Sequence, residues 1–309
     1  MTGRVDAVVV AYRSEDRIVA CLAALRAVDG IAGLVVVDHG DGQSAIAAAA
    51  AGADTMHDAS NPGFGAGQNH GAARGSAPYL LLCNPDAVVD ATAVATGVDL
   101  LDAHPEVAAV QGAIVNVRTG GLERSQGREL GALHLLARAL RLRNLLRLGA
   151  VRALARRVPT VADHADRAPL HPVDVESLAA TALLIRRAAF EQVHGFATGY
   201  FLYGEDLDLC RRLRAAGWRL VALPDRWATH DNGASAATTH ERELTWWNGT
   251  MTFAARWWGR SAWCGAVAAS TLECAHQTAL KPRDARRTVR ALLLDPLNER
   301  RRRAAPLEI

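Results

Sequence analysis

The stretch PYLLLCNPD, from Pro78 to Asp86, decides the fold that the sequence predicts. Its apolar residues continue without interruption to Cys83, which is typical of a β-strand that is covered on both faces. The turn-forming sequence Asn84-Pro85-Asp86 follows at once and carries a carboxylate. In open α/β sheets, ligands bind at the carboxyl ends of the strands. The stretch therefore predicts a buried parallel strand with an acidic group at the ligand-binding edge of its sheet.

Other apolar runs of this kind alternate with helical patterns along the chain. The predicted strands are Val5–Tyr12, Leu34–Val37, Asp54–His57, Pro78–Cys83, Val107–Gln111 and Trp218–Pro224, and the predicted helices include Glu15–Ala27 and Ala91–Ala103. Strands that alternate with helices indicate βαβ units with right-handed connections. The sequence therefore predicts an α/β fold with a mostly parallel central sheet flanked by helices.

Composition narrows the class of protein. Half of the 309 residues are hydrophobic, which is enough for a large core. The five cysteines are scattered without a Cys-x-x-Cys pair, which argues against a disulfide framework and favours a reducing compartment. The first strand lacks the longer apolar region of a signal peptide, and the apolar run Ser261–Ala275 is too short to span a bilayer. We therefore expect a cytoplasmic protein.

Two segments depart from the alternation of strands and helices. Leu130–Val158 carries seven arginines and no acid among regularly spaced leucines, which predicts a basic amphipathic helical insertion. Its arginines could form an ordinary solvated face or contact an anionic membrane surface. After residue 235 the chain accumulates tryptophans and arginines without a catalytic motif. We predict a catalytic domain over residues 1–235, interrupted by the insertion at about 130–158, and a helical C-terminal appendage over residues 236–309.

A second acidic stretch, GYFLYGEDLDLCRRLRAAG from Gly199 to Gly217, places Glu205 and Asp206 where a loop enters a predicted helix. Acidic residues are favoured in a first helical turn by the helix dipole, so these acids admit a purely electrostatic interpretation. They also admit a catalytic one, because a positioned carboxylate can act as a general base. Gly217 predicts a left-handed end of this helix.

Further polar motifs follow other predicted strands. Asp38–Gly42 (DHGDG) could bind a base or ribose, although it also suits an ordinary strand–turn–helix connection. Asn61–Gly71 is glycine-rich at a helix start, where free N–H groups could meet a diphosphate. Asp86 offers the oxygen ligand that hard divalent cations prefer, or it serves as a turn residue. Thr229-His230-Asp231 lies just past a predicted strand, where the histidine is either structural or a metal ligand.

Taken in order, these motifs resemble those of glycosyltransferase family 2. The resemblance covers about residues 5–235 and rests on VVVDHGDG, NPGFGAGQNHG, LLLCNPDAVV, LLIRRAAFEQVHGF, GYFLYGEDLDLCRRLRAAGW and THDNGAS. Within the family, the sequence is most similar to bacterial rhamnosyltransferase-like enzymes of cell-wall and surface-polysaccharide assembly. The resemblance implies a GT-A fold, a nucleotide-sugar donor, a divalent cation and inversion at the anomeric carbon.

The resemblance also implies roles for individual residues. Asp206 would be the catalytic base, and Glu205 beside it would organise the acceptor. Asp86, the last position of a degenerate Asp-x-Asp motif, would bind the diphosphate and, together with His230, a Mg²⁺ or Mn²⁺ ion. The implied nucleotide- and donor-binding residues are Tyr12, Asp38, Gly65, Asn69, Asn84 and Asp86. One departure concerns the acceptor side, where the family's Asp-Trp and Ser-Gly-Ala-like run appears here as Glu176–Ala180 (ESLAA).

The reaction that the resemblance implies is transfer of a sugar, with rhamnose from dTDP-rhamnose expected first and a UDP-sugar as the other donor. The expected acceptor is polyprenyl-diphosphate-linked or a glycan, and the expected location is peripheral at the inner face of the cell membrane. The alternatives are a non-catalytic glycan- or lipid-binding relative, an enzyme with a soluble acceptor, and a sugar nucleotidyltransferase. The last would carry a glycine-rich basic loop after the first strand, where this sequence has Ala11–Glu15 (AYRSE). No nucleic-acid partner is expected, because no nucleic-acid motif accompanies the arginines.

Overall fold

The computed structural model describes residues 3–140, 168–231, 239–280 and 282–304. Within these ranges, nine strands form one mixed sheet, and the two short strands Gln126–Gly127 and Ser177–Leu178 pair separately. The strands are β1 Val5–Ala11, β2 Ile31–Asp38, β3 Asp54–His57, β4 Tyr79–Cys83, β5 Ala87–Val89, β6 Val107–Asn116, β7 Gln126–Gly127, β8 Val173–Asp174, β9 Ser177–Leu178, β10 Ala182–Arg186 and β11 Arg219–His230.

The strand order of the large sheet is β3-β2-β1-β4-β10-β6-β11-β5, and β8 pairs with β11. Strands β3, β2, β1 and β4 are parallel, whereas β10 runs antiparallel to both of its neighbours, β4 and β6. Because β11 is parallel to β6, the carboxyl ends of β2, β1, β4, β6 and β11 all lie along one edge of the sheet. We call this the carboxyl edge. The prediction of a mostly parallel α/β sheet is confirmed.

Helices cover both faces of this sheet. The described α-helices are α1 Glu15–Arg26, α2 Gln43–Ala50, α3 Phe64–Ala72, α4 Ala91–Ala103, α5 Ala132–Ala139, α6 Arg187–Gln192, α7 Glu205–Ala215, α8 Thr239–Trp257, α9 Arg260–Leu280, α10 Ala285–Val289 and α11 Asp295–Ala304, with a 3₁₀ turn at Pro282–Asp284 and a π-helical turn at Arg290–Leu294. Val9 of β1 packs in the cluster that contains Leu22 of α1 and Val94 of α4, whereas Val8 packs with Phe190 of α6 and Leu213 of α7. Successive strand side chains point to opposite faces, so burial on both faces explains the uninterrupted apolar runs.

Two strands extend beyond their predicted ends. The strand predicted at Val107–Gln111 continues to Asn116, and the strand predicted to end at Pro224 continues to His230. The predicted strand end at Pro224 was wrong. The pairing of β11 with β6 is irregular between Ala222 and Arg226, and a bulge of this kind accommodates a proline within a strand. His230 is therefore the last residue of β11 and does not lie past the strand.

The described residues form two compact units. The first falls within Met1–Arg128, Ala165–Phe201 and Asp206–Ala236, and the second within Glu129–His164, Leu202–Glu205 and Ala237–Ile309. The described part of the second unit is mostly helical. The predicted basic insertion begins with α5, and its remainder from residue 141 to residue 158 lies outside the described residues.

Among the described helices, none has both the length and the hydropathy needed to cross a bilayer. The predicted boundary at residue 235 stays a prediction.

A buried ion pair between Asp6 and Arg187 ties β1 to α6. Nη2 of Arg187 lies 2.7 Å from Oδ2 of Asp6, and the same oxygen accepts a hydrogen bond of 2.8 Å from the N–H of Ala77. Arg187 also donates to the carbonyl oxygens of Ala77 and Ala72 at 2.6 and 2.8 Å. The side chains of Arg187 and Asp6 are 11% and 6% exposed, so each buried charge depends on the other.

Replacing Arg187 with Met should lower the free energy of unfolding by about 3–5 kcal/mol, because the change leaves the Asp6 carboxylate buried without its cation. Arg219→Met is the matched control, since Arg219 is half exposed and pairs with Glu106 and Asp174 at the surface. Surface pairs of this kind contribute about 0–1 kcal/mol. Denaturant unfolding followed by circular dichroism measures both variants, and equal losses would contradict the importance of the buried pair.

Candidate active site at the carboxyl edge

Asp86 and His230 meet at the carboxyl edge of the sheet. Asp86 lies between β4 and β5, and His230 ends β11. Strands β5 and β11 are antiparallel neighbours in which Ala87 is paired with His230, and the N–H of Asp231 donates to the carbonyl oxygen of Asp86 at 3.2 Å. This backbone pairing brings Nε2 of His230 within 3.1 Å of Oδ1 of Asp86. The sequence had pointed to both residues, and the sheet brings them together.

The other imidazole nitrogen of His230 faces Glu123, a residue that the sequence analysis did not find. Nδ1 of His230 lies 2.8 Å from Oε2 of Glu123. On the opposite side, the amide nitrogen of Asn84 lies 3.3 Å from Nε2 of His230. The side chains of His230, Asp86 and Glu123 are 8%, 15% and 13% exposed. These three side chains form a largely buried cluster, called the His230 cluster below.

The His230 cluster favours positive charge on the imidazole. Burial by itself lowers the pKa of His230, but hydrogen bonds and charge interactions with Asp86 and Glu123 outweigh burial and raise the pKa to about 9. An opposite charge within hydrogen-bond distance favours the charged form of a histidine in this way. In the metal-free protein the imidazole is therefore protonated at neutral pH and lies between two carboxylates.

The donor atoms of the His230 cluster fit a divalent cation that is shared with a substrate. Neighbouring ligands of an octahedral ion at about 2.1 Å are about 3.0 Å apart, and the Oδ1–Nε2 distance is 3.1 Å. A carboxylate oxygen and a neutral imidazole both bind first-row divalent ions. Glu123 contacts Nδ1 of His230 and not the nitrogen that faces Asp86. In the described ranges, no group of three or more His, Cys, Asp or Glu side chains is placed to hold an ion. The remaining ligands would therefore be water or substrate oxygens.

Asp38, the predicted base- or ribose-binding residue, ends β2 and is fully buried. Its Oδ1 accepts a hydrogen bond of 2.7 Å from the N–H of Gly40, and its Oδ2 accepts one of 3.0 Å from the N–H of Ala45. A Cβ at Gly40 would lie only 3.0 Å from that Oδ1 and 3.1 Å from the backbone nitrogen of Arg13. Asp38 therefore organises the loop that leads into α2, and its contact with a nucleotide stays a prediction.

Gly65 and Asn69 both lie in α3 and pack against Phe196. The Asn69 amide donates to the carbonyl oxygen of Phe196 at 2.9 Å and accepts from its N–H at 2.8 Å. A Cβ at Gly65 would lie 2.8 Å from Cβ of Phe196, and one at Gly67 would lie 2.9 Å from Cε1 of the buried His39. Close packing therefore accounts for these glycines and for Asn69, and their predicted role in donor binding stays a prediction.

Tyr12 follows β1 at the carboxyl edge and is 45% exposed. The guanidinium carbon of Arg13 lies 5.4 Å from the centroid of its ring, which is within the range of a cation–π interaction. An exposed ring at this edge is available to a planar group of a ligand. The predicted role of Tyr12 in donor binding stays a prediction.

The three acids of the second acidic stretch differ in their surroundings. Asp208 is fully buried in α7, where it lies 2.6 Å from Nε of Arg212 and accepts a hydrogen bond from the Tyr200 hydroxyl at 3.3 Å. Glu205 is buried at the start of α7, and Asp206 is half-buried. The division between the two compact units falls between Glu205 and Asp206. Asp208 is therefore structural, and the catalytic roles of Glu205 and Asp206 stay predictions.

Two arginines that the sequence analysis did not assign lie beside the His230 cluster. Nε of Arg118 lies 2.6 Å from Oδ1 of Asp231, and Nε of Arg17 lies 3.6 Å from Oδ2 of the same carboxylate. The N–H of Val117 donates to the carbonyl oxygen of His230 at 3.0 Å, which places the segment after β6 against the end of β11. That segment carries no recognisable motif, so only the strand pairing reveals Arg118 and Glu123 as part of the site.

The chain is similar in sequence to known glycosyltransferases. The family described as Glycosyltransferase like family 2 matches residues 3–257. N-acetylglucosaminyl-diphospho-decaprenol L-rhamnosyltransferase of Mycobacterium tuberculosis is 47% identical over 58 residues, which span 19% of this chain and 19% of that enzyme. Rhamnosyltransferase WbbL of Escherichia coli is 45% identical over 62 residues, which span 19% of this chain and 24% of that protein. The match thus spans about a fifth of the length of these curated relatives.

Among solved structures, the mannosyltransferase PcManGT of Pyrobaculum calidifontis, in complex with GDP-Man and Mn²⁺, aligns with a TM-score of 0.56 at 17% identity. The alignment covers 97% of this chain and 87% of that one, and at this identity it shows the fold alone. The mostly parallel sheet and the family match along most of the chain agree with the GT-A fold of a glycosyltransferase. The chain belongs to glycosyltransferase family 2. The predicted family, fold and enzyme class are confirmed.

The free energy of unfolding of the metal-free protein should depend on pH through His230. Its folded pKa of about 9 lies above the ordinary value of 6.5, so protonation stabilises the folded state. This stabilisation, about 3 kcal/mol, is complete below the unfolded pKa and is lost as the pH rises through the folded pKa. Denaturant unfolding in EDTA across this range measures it. His230→Gln should flatten that part of the profile, and identical profiles for the two proteins would contradict the raised pKa.

Proposed function

We propose that this glycosyltransferase transfers rhamnose from dTDP-rhamnose, with inversion at the anomeric carbon, to a polyprenyl-diphosphate-linked or surface-glycan acceptor. The observation that carries the proposal is the pair Asp86–His230, 3.1 Å apart at the carboxyl edge, which suits a cation bound to a diphosphate. The choice of rhamnose draws on the local similarity to two rhamnosyltransferases, one of which is named for an N-acetylglucosaminyl-diphospho-decaprenol substrate. A UDP-sugar is the other donor that we propose.

The donor would lie along the carboxyl edge. Asp38 would contact the base or ribose when the nucleotide binds beside the loop that it organises, and Tyr12 offers an exposed ring in the same region. Gly65 and Asn69 of α3 would shape the wall near the donor. Asn84 and Asp86 follow β4 and would contact the diphosphate, since both lie at the end of the strand next to β1.

A Mg²⁺ or Mn²⁺ ion held by Asp86 and His230 would supply Lewis-acid stabilisation of the negative charge that develops on the departing diphosphate. The residues contribute one carboxylate oxygen and one imidazole nitrogen. His230 must give up its proton from Nε2 before that nitrogen can bind an ion. Binding of an ion by this pair would therefore release a proton.

Asp206 would take the proton from the acceptor hydroxyl. The hydroxyl oxygen then forms a bond to the anomeric carbon as the bond from that carbon to the diphosphate oxygen breaks, and the leaving nucleoside diphosphate keeps the electron pair. Attack on the face opposite the leaving group produces inversion. A positioned general base contributes roughly 10²–10⁴-fold to such a step. Glu205, next in the chain, would orient the acceptor.

We further propose that the enzyme binds the cytoplasmic face of an anionic membrane, where a lipid-linked acceptor is found. Leu133 and Leu140 of the α5 segment are 64% and 48% exposed. Arg138 lies 4.3 Å from the ring centroid of Trp246 and 3.3 Å from Glu243. The arginines that follow, Arg141, Arg143 and Arg147, lie outside the described residues. Each basic residue near an anionic surface contributes about 1 kcal/mol of attraction.

Asp206→Asn should reduce sugar transfer by at least about 100-fold while folding and donor binding remain nearly unchanged, because the substitution removes the base with little change of shape. The measurement is turnover of dTDP-, UDP- and GDP-sugars, with and without Mn²⁺, by the wild type and the variant. We expect dTDP-rhamnose to be turned over fastest by the wild type and to need the ion.

Asp225→Asn is the control for this measurement, since Asp225 is an exposed acid on β11. Turnover by Asp206→Asn within threefold of the wild type would return Asp206 to a role at the helix terminus. Turnover of none of these donors by the wild type would instead favour a non-catalytic glycan- or lipid-binding relative.

Wild-type protein should sediment with phosphatidylglycerol vesicles at low salt and be released at high salt, because salt screens the attraction between arginines and lipid headgroups. A variant in which Arg138, Arg141, Arg143 and Arg147 are all changed to Gln should sediment less at low salt. Vesicles of phosphatidylcholine alone are the control. Wild-type protein that stays in the supernatant at low salt would favour a soluble acceptor.

A further inference from the structure

Glu123 holds the imidazole of His230 from the side opposite Asp86. Its Oε2 lies 2.8 Å from Nδ1 of His230, and its Oε1 accepts a hydrogen bond of 2.8 Å from the side-chain amide of Asn116. Both carboxylate oxygens are thus engaged, and the side chain is 13% exposed. A carboxylate that is buried and held at both oxygens has little freedom to leave the imidazole.

The turn after β6 is built to hold this carboxylate. The Asn116 side-chain oxygen accepts hydrogen bonds of 3.0 Å from the N–H groups of both Arg118 and Thr119. Gly120, with φ 67°, donates to the Asn116 carbonyl oxygen at 2.8 Å. The N–H of Glu123 then returns to the carbonyl oxygen of Ile114 at 2.8 Å. These bonds fix the Asn116 amide, which in turn orients Glu123.

An ionised carboxylate accepts hydrogen bonds and cannot donate them, so Nδ1 of His230 must carry the hydrogen in this contact. We propose that Glu123 is a positioning residue that keeps the proton on Nδ1 and thereby presents Nε2 of His230, with its lone pair, to a divalent cation shared with Asp86. Carboxylates that hold the far nitrogen of a ligating histidine orient the ring and raise the basicity of the ligand. The inference rests on the metal role proposed above for Asp86 and His230.

A purely structural role for Glu123 predicts a different result. If the contact only stabilised the fold, its loss would lower stability and leave the affinity of the folded protein for an ion unchanged. The positioning role predicts that ion affinity changes in the folded protein, and that a neutral acceptor in place of the carboxylate preserves most of it. The two roles are therefore separated by a binding measurement and not by an activity measurement.

The experiment is calorimetric titration of Mn²⁺ into the full chain in the presence of dTDP. We expect Glu123→Ala to weaken Mn²⁺ binding by about 10- to 100-fold, and Glu123→Gln, whose amide oxygen can still accept from Nδ1–H, to stay within about threefold of the wild type. Asn116→Ala should give an intermediate loss, because it removes the hydrogen bond from the Asn116 amide to Glu123. Glu106→Ala is the matched control, since Glu106 pairs with Arg219 at the surface.

A second readout follows the imidazole directly. With Mg²⁺ and dTDP, ¹⁵N spectra of the wild type should show His230 with a hydrogen on Nδ1 and none on Nε2, and circular dichroism verifies that each variant is folded. Equal Mn²⁺ affinity in folded Glu123→Ala and wild type would overturn the positioning role alone. If Glu123→Ala does not fold, the other two variants decide. Equal Mn²⁺ affinities of Glu123→Gln and Asn116→Ala would then overturn the positioning role. Absence of Mn²⁺ binding by the wild type would overturn this role together with the proposed metal site.

Discussion

The pairing of β11 with β6 on one side and β5 on the other is the constraint on which the candidate site depends. His230 is paired with Asn116 of β6 and with Ala87 of β5. Asp86 immediately precedes β5, and the turn after β6 brings Glu123 back beside Asn116. A slip of one residue in this register would turn the imidazole to the opposite face of the sheet. The chemistry of the site therefore rests on hydrogen bonds between backbone groups.

Trp227 stabilises the register in which β11 pairs with β5 and β6. Its side chain is fully buried, its Nε1–H donates to the carbonyl oxygen of Ala182 at 2.7 Å, and its own carbonyl oxygen accepts from the N–H of Asp90 at 2.8 Å. Room for the ring comes from two glycines. A Cβ at Gly97 of α4 would lie 2.7 Å from Cη2 of Trp227, and one at Gly112 of β6 would lie 3.0 Å from its Cβ. Packing of Trp227 between α4 and the sheet thus fixes the position of His230, three residues further along β11.

Charge at the carboxyl edge is balanced locally. Asp86 and Glu123 lie on either side of the His230 imidazole, while Asp231 pairs with Arg118 and, at a longer distance, with Arg17. The proton on His230 compensates two nearby carboxylates in the metal-free protein, where uncompensated burial of either would be costly. In the proposed metal-bound state a divalent cation takes over that compensation. A site for a cation can therefore fold without its ion.

The sequence by itself determined the parallel strands and the polar residues near their ends, because uninterrupted apolar runs and the turns that follow them are local patterns. The order of its motifs indicated the family through their resemblance to glycosyltransferase family 2. Asp38, Asp86 and His230 could be named in this way. Only the tertiary structure decided that His230 ends β11 beyond a bulge at Pro224, and that Glu123 is its second partner. The physical reason is that the pairing of strands determines which side chains contact one another in the site. Strand pairing depends in turn on packing between segments that are distant in the chain.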